Sequence, residues 1–220
     1  MTGDGSPTLF LPDKNEYYHS HFGAVTESKH IFIQAGLHHF TKINPKREIS
    51  ILEVGMGTGL NVFLAFLFSN AMPSYVIQYT AIEPEPVDPV FIQQLNYPLL
   101  LGAERHGNVF KGIHTGESNV RLDLSEKFSL NKKFEKIQTT DLKEKFDMVF
   151  FDAFAPAVQP ELWEKGIFDK IFQFLNSGGI LVTYCAKGEV KRILRSSGFG
   201  VENLPGPPGK REMTRASKPV

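Results

Sequence analysis

The stretch Ile51-Leu-Glu-Val-Gly-Met-Gly-Thr-Gly-Leu-Asn61 constrains the chain more than any other. The apolar run Ile49, Ile51, Leu52 and Val54 reads as a buried parallel strand, closed off by turn residues. Gly55, Gly57 and Gly59 follow at alternate positions, where the missing Cβ permits a tight turn and lets a ligand lie against the backbone. Leu60 to Ser69 contains no breaker and predicts a mostly buried helix. Strand, glycine turn and helix form the nucleotide-cradling unit of doubly wound sheets, with the ligand over the strand's carboxyl end. Spacing narrows the type. A dinucleotide fingerprint needs G-x-G-x-x-G, and a Walker loop needs Lys and Ser or Thr after its last Gly. Here the pattern is E-x-G-x-G-x-G, with Glu53 near the strand's end and no Lys.

The remaining segments supply neighbours for that unit. Val76 to Ile82 reads as a second strand ending in Glu83-Pro84, an acid placed to bind ribose hydroxyls. Val120 to Leu124 and Phe128 to Gln138 read as a strand pair, the second delivering Thr139, Thr140 and Asp141 to the carboxyl edge for an adenine contact. Met148 to Phe151 is a buried strand ending in Asp152, beside the first strand at the switch point where ligands bind. Pro160-Glu-Leu-Trp163 opens a helix to about Leu175, with Gly178-Gly179 as its stop. Ile180 to Tyr184 is a fifth strand, and Lys187 to Arg195 another helix. Phe199 to Leu204 and Arg211 to Ala216 close the chain as an antiparallel pair around Pro205-Gly-Pro-Pro-Gly209.

The fold expected is α/β: a doubly wound, mostly parallel, seven-stranded Rossmann-like sheet with an antiparallel C-terminal hairpin, over residues 49–220. Residues 1–48 form a lead-in. It is loosely ordered to about residue 16, then a helix from Glu27 ending near Gly36 or beyond makes a lid or platform. Residues 97–118 read as irregular, an amphipathic insertion at most.

A length of 220 residues suits one domain with one sizeable core. The single cysteine, Cys185, excludes a disulfide framework and a cysteine-rich zinc site. His19 and His21 have no ligand-spaced partners, so no metal is expected. The first residues lack a signal-peptide pattern, and the apolar stretch at Leu60 to Leu67 is too short to span a membrane, so a cytoplasmic location is expected. Net charge is zero, yet Lys187 to Val220 holds eight basic residues against three acidic ones. Such a face is either a footprint for phosphate or a solvated surface.

The glycine turn with its acid resembles the first motif of class I S-adenosylmethionine-dependent methyltransferases. Gly23-Ala-Val-Thr-Glu-Ser28 with Phe32, then Glu53 to Asn61, Asp152-Ala-Phe-Ala-Pro156 with Pro160, Glu161 and Trp163, and Gly209-Lys-Arg-Glu-Met213 together resemble the methyltransferase domain of the MnmC family. Those bifunctional enzymes complete 5-methylaminomethyl-2-thiouridine at the wobble position of tRNA. The resemblance implies methyl transfer from S-adenosylmethionine to an aminomethyl nitrogen in the anticodon region of tRNA. It implies that Glu53, Gly55, Gly57, Gly59 and Asn61 hold the cofactor, Glu83 its ribose, and Asp152 the reacting amine; Met56, Pro84, Asp141 and Asp152 itself are expected beside them in the cofactor site. On the substrate side it implies Glu27, Phe154, Pro156, Tyr184, Lys210 and Arg211. No flavin-dependent oxidase half is present in these residues, so another protein would have to supply the aminomethyl form. Glu189 replaces the family's apolar residue, and Gly107 to Ser118 departs from its tryptophan-containing stretch.

An alkylamine behaves like lysine, with a pKa of ~10.4, so neutralising it at pH 7 costs roughly 4–5 kcal/mol. Asp152 is assigned chiefly to aiming the amine's lone pair, because alignment can contribute ~7–11 kcal/mol. The wobble base must leave its stack to reach such a pocket, where Phe154 or Tyr184 could stack on it. Two other readings stand beside this one: a small-molecule amine methyltransferase on the same fold, and a tRNA-binding module with a vestigial cofactor pocket.

Overall fold

The computed structural model describes all 220 residues. Ten strands form two sheets. β1 (Phe10–Leu11) and β2 (Glu16–Tyr17) make a small hairpin. The large sheet holds β3 (Glu48–Val54), β4 (Val76–Ile82), β5 (Arg121–Ser125), β6 (Phe128–Lys133), β7 (Phe146–Phe151), β8 (Leu175–Thr183), β9 (Gly200–Pro205) and β10 (Glu212–Ser217). Its order is β5-β6-β4-β3-β7-β8-β10-β9, so the strand before the glycine turn lies inside the sheet, between β4 and β7. From β6 to β8 every pairing is parallel, and β10 turns back antiparallel against β8.

Alternate residues of the central strands face two cores. Ile49, Ile51, Ile77, Tyr79, Met148, Phe150 and Val182 meet the helices Leu60–Ala71 and Gly107–Thr115 and the long N-terminal helix on one face. Leu52, Val54, Val149, Phe151 and Leu181 meet Lys165–Phe174 and Gly188–Ser196 on the other. Burial on both faces gives these strands their unbroken apolar sequence, as parallel sheets require.

The sheet differs from the expected one at its edge and in β8. It has eight strands rather than seven, with the strand pair expected from the sequence present at the edge as β5 antiparallel to β6. β6 stops at Lys133 rather than Gln138: its last partner on β4 is Ile82, and beyond that no neighbour remains to pair with. Gly178 and Gly179 lie inside β8 instead of ending a helix. There the register slips from Phe146↔Leu175 to Met148↔Ile180, and the buried Asp147 carboxylate accepts hydrogen bonds from Asn176 Nδ2 (2.8 Å) and Ser50 N (2.9 Å) across the bulge. Pro160–Leu162 is a single 3-10 turn, and the helix proper runs Lys165–Phe174.

The N-terminal helix is longer than its sequence suggests. Ala24–Ser28, Lys29–His38 and His39–Ile43 run on without interruption, the middle stretch π-helical. Gly36 is a point of approach rather than a stop: a Cβ there would lie 3.2 Å from Val182 and 3.3 Å from Met148 and Phe150. Residues 97–118 are also ordered, as helices Tyr97–Leu100 and Gly107–Thr115 with a 3-10 turn between. Phe110 packs 5.3 Å from Phe63, and Tyr97 donates to Thr58 Oγ1 (3.3 Å), so this segment backs the glycine turn. Four glycines within it interrupt the period that would have announced the helices.

The lead-in is fixed, not loose. Asp4 accepts hydrogen bonds from Thr26 N and Thr26 Oγ1 (both 2.8 Å), and from Ser6 N (3.0 Å) and Thr2 Oγ1 (2.9 Å). Burial works to raise the Asp4 pKa, but the bonds from Ser6 and Thr26 outweigh it and hold the carboxyl well below its ordinary value. Asp4→Ala should leave the sheet intact, lower stability by about 1–3 kcal/mol, and raise amide exchange through residues 2–23. Urea unfolding and hydrogen-exchange mass spectrometry measure both effects.

Candidate active site

The carboxyl ends of β3, β4 and β7 open into a cavity of about 610 Å³. The turn after β3 is squeezed from three sides. A Cβ on Gly55 (φ +90°) would lie 2.6 Å from the Asp152 carbonyl oxygen, one on Gly57 (φ +48°) 2.9 Å from the Tyr18 ring, and one on Gly59 (φ +70°) 2.9 Å from His114. The glycines therefore serve the packing of the protein on itself as well as any approach by a ligand.

Glu83, at the end of β4, accepts from Gly57 N (3.0 Å) and Glu85 N (3.1 Å). That holds a carboxylate edge-on beside the turn. Asn61, in the first turn of Leu60–Ala71, donates one Nδ2 hydrogen to Glu53 Oε1 (2.9 Å) and the other to Asp152 Oδ2 (2.8 Å). Glu53 is completely buried below the cavity and does not line it; burial pushes its pKa well up. Glu53 Oε2 and Asn61 Oδ1 are left buried without partners. Asp152 reaches the cavity. Burial first, then the charge of Glu27, lift its pKa to about 7 against the hydrogen bond from Asn61 and the charge of Lys210.

The far side of the cavity is equally fixed. Tyr184 donates to Ala153 O (2.8 Å), and Trp163 Nε1 donates to Phe154 O (2.8 Å). The Phe154 ring lies 5.2 Å from Tyr18 and beneath Lys14 (5.3 Å), so the lead-in roofs the space between glycine turn and Phe154. Lys210 forms an ion pair with Glu27 at the rim.

Of the residues expected at the site, Glu27, Gly55, Met56, Gly57, Asn61, Glu83, Pro84, Asp152, Phe154, Tyr184 and Lys210 line one cavity. Glu53 and Gly59 lie behind it, Pro156 falls outside the lining, and Arg211 is exposed. Asp141 is exposed and outside it too; because β6 ends early, Lys136, Ile137 and Gln138 reach the cavity instead. Sequence reading missed Tyr18, His19 and Gln159 in the lining. His19 is a buried neutral imidazole, its pKa lowered to about 4 chiefly by burial, and no group of His, Cys, Asp or Glu side chains is arranged to hold a metal. Much of the C-terminal positive charge is spent internally: Lys191 pairs with Glu212, Arg215 with Glu202, and Lys210 with Glu27.

Six carboxylates line the cavity (Glu16, Glu27, Glu83, Glu85, Asp152, Glu161) against three lysines (Lys14, Lys136, Lys210). That balance suits cationic ligands. A sulfonium cofactor with a ribose fits it: the strained glycine turn offers backbone, Glu83 offers a carboxylate, and the orphaned Asn61 Oδ1 offers a buried acceptor.

A family model described as S-adenosyl-L-methionine-dependent methyltransferase matches residues 106–219. The tRNA 5-methylaminomethyl-2-thiouridine biosynthesis bifunctional protein MnmC of Ralstonia nicotianae is 29% identical over 232 residues, covering 99% of this chain and 34% of that protein. The protein of the same name from Idiomarina loihiensis is 29% identical over 214 residues, covering 90% and 35%. The chain thus spans about a third of the length of these curated relatives. Among solved structures, MNMC2 from Aquifex Aeolicus superposes with a TM-score of 0.79 at 27% identity, covering all of this chain and 70% of that one. Streptomyces venezuelae DesVI, at 13% identity and a TM-score of 0.51, shares the fold. No helix is long and apolar enough to cross a membrane.

Asp152 gives a pH test. Its pKa rises from 3.8 to about 7 on folding, so between those values the native state keeps a proton that the unfolded chain has lost. Stability therefore falls as pH rises through this window. Asp152→Asn should be more stable than the parent at pH 8 by about 2–4 kcal/mol, with the difference fading toward pH 4, in urea unfolding at both values.

Proposed function

The chain belongs to the S-adenosyl-L-methionine-dependent methyltransferase family, and on that premise we propose that it methylates the exocyclic aminomethyl nitrogen of a wobble uridine in tRNA, converting 5-aminomethyl-2-thiouridine to 5-methylaminomethyl-2-thiouridine. The observation that carries this reading is the acidic cavity in which Asn61 fixes the Asp152 carboxylate at the switch point. The choice of acceptor is supported by likeness to relatives whose name gives tRNA 5-methylaminomethyl-2-thiouridine biosynthesis.

S-adenosylmethionine supplies an electrophilic methyl group on a positively charged sulfur. The chain's residues do the positioning. Gly55 to Gly57 and Asn61 would hold the cofactor, and Glu83 would take the ribose hydroxyls with the lone pairs not used by the Gly57 and Glu85 amides. Asp152 accepts a hydrogen bond from the acceptor amine and turns its lone pair toward the methyl group. As a base it is weak: taking a proton from an ammonium of pKa ~10.4 onto a carboxyl of about 7 is uphill by roughly 4–5 kcal/mol. Alignment, at ~7–11 kcal/mol, is the larger contribution. The roof of Tyr18 over Phe154 excludes water, and a base extruded from the anticodon stack enters beside Phe154 and Tyr184. Lys187, Arg192, Arg195 and Arg211, which have no ion-pair partner, meet phosphate outside the cavity.

Incubation of undermodified tRNA with labelled cofactor, followed by nucleoside mass spectrometry, should yield the methylated nucleoside. Transfer to small amines but never to tRNA would overturn the assignment. Glu83→Ala should weaken cofactor binding about tenfold to a hundredfold in calorimetry, since it removes charge-assisted bonds of ~1.5–3 kcal/mol each before water compensates. Arg211→Ala should weaken tRNA binding and flatten its salt dependence by about one unit of slope, leaving cofactor affinity unchanged.

A further inference from the structure

Lys210 sits on a surface hairpin, where a lysine ordinarily carries its ammonium to water. Here it does the opposite. Its Nζ meets the Glu27 carboxylate and lies 4.1 Å from the centre of the Tyr184 ring, inside the lining of the cavity. The hairpin backbone is fixed: Lys210 N donates to Pro207 O (2.9 Å), Gly206 N to Arg211 O (3.2 Å), and Phe22 packs so closely on Gly209 that any Cβ there would collide with its ring. The ammonium's partners are fixed as well. Glu27 accepts from Ser20 N (3.2 Å) in the first turn of its helix, and the Tyr184 hydroxyl is tied to Ala153 O. Only the four-carbon stem of Lys210 is free to rotate.

A carboxylate and an aromatic face are the two elements that recognise an ammonium. The group they hold, a methylene bearing a primary amine, is the same group that an aminomethyl substituent presents. We propose that Glu27 and Tyr184 form a subsite for a primary alkylammonium, and that the Lys210 side chain fills it until an acceptor amine takes its place. The inference rests on the amine-methylating reading of the cavity and names how the acceptor is recognised. It also gives Lys210 a different part from Arg211, its neighbour on the turn, which faces solvent. When an acceptor arrives, Lys210 leaves Glu27 and swings outward, where its charge can meet the incoming phosphate backbone.

Removing the occupant should leave a vacancy that a free amine can fill. In thermal unfolding, Lys210→Ala should be stabilised by ethylammonium chloride by about 2–4 °C relative to sodium chloride of equal ionic strength, at amine several times its dissociation constant. The parent should not respond, and Glu27→Gln in the Lys210→Ala background should abolish the shift. Lys210→Ser provides a second route to the same vacancy should the alanine variant fold poorly. A parent that responds as strongly as the variants, or variants that do not respond at all, would overturn the proposal. Failure of the wider reading looks different: it is the absence of methylated nucleoside with the parent enzyme, whatever ethylammonium does in the variants.

Discussion

The site depends on one side-chain amide. Asn61 gives its two Nδ2 hydrogens to two carboxyl groups on adjacent parallel strands, Glu53 on β3 and Asp152 just beyond β7. Two acids placed this close in an apolar interior repel, and each alone would be costly to bury. The amide makes the arrangement tolerable by satisfying one oxygen of each. Burial does the rest by pushing the Glu53 pKa well up, while Asp152, lifted to about 7, carries the carboxyl that reaches the cavity. Gly59, in a left-handed conformation, caps the helix that carries Asn61 in its first turn, and a Cβ there would strike His114.

This changes the meaning of Glu53. Its place near the end of the first strand pointed toward the cofactor, whereas the carboxyl lies beneath the cavity and is joined to it by the hydrogen bond from Asn61. The glycines change meaning in a similar way. Their spacing was legible as a ligand cradle, whereas the contacts that forbid a Cβ come from Asp152, Tyr18 and His114 of the protein itself. A ligand and the fold impose the same requirement on these three residues, and sequence cannot separate the two.

The centre of the fold was legible because its physics is local. β3, β4 and β7, with the helix that follows the glycine turn, are mostly buried and mostly apolar, and their bounds follow from composition and punctuation. What escaped is set by partners distant in the chain. β6 ends where β4 ends, so Asp141 falls outside the cavity and Gln138 within it. Gly178 and Gly179, stop signals in isolation, become a bulge because Asp147 binds Asn176 across it. The lead-in has no period at all; Asp4, a polar residue among glycines, organises it through hydrogen bonds to Thr26 more than twenty positions away. Three of the eight basic residues in the last stretch, Lys191, Arg215 and Lys210, pair internally with Glu212, Glu202 and Glu27, partners that sequence position alone does not reveal.

Tyr18 touches both halves of the cavity, standing over Gly57 on one side and Phe154 on the other. One ring thus bounds the cavity over both the glycine turn and the loop after β7. Any displacement of the N-terminal residues that carries Tyr18 off Phe154 also carries it off Gly57, so the two sides of the cavity are uncovered together.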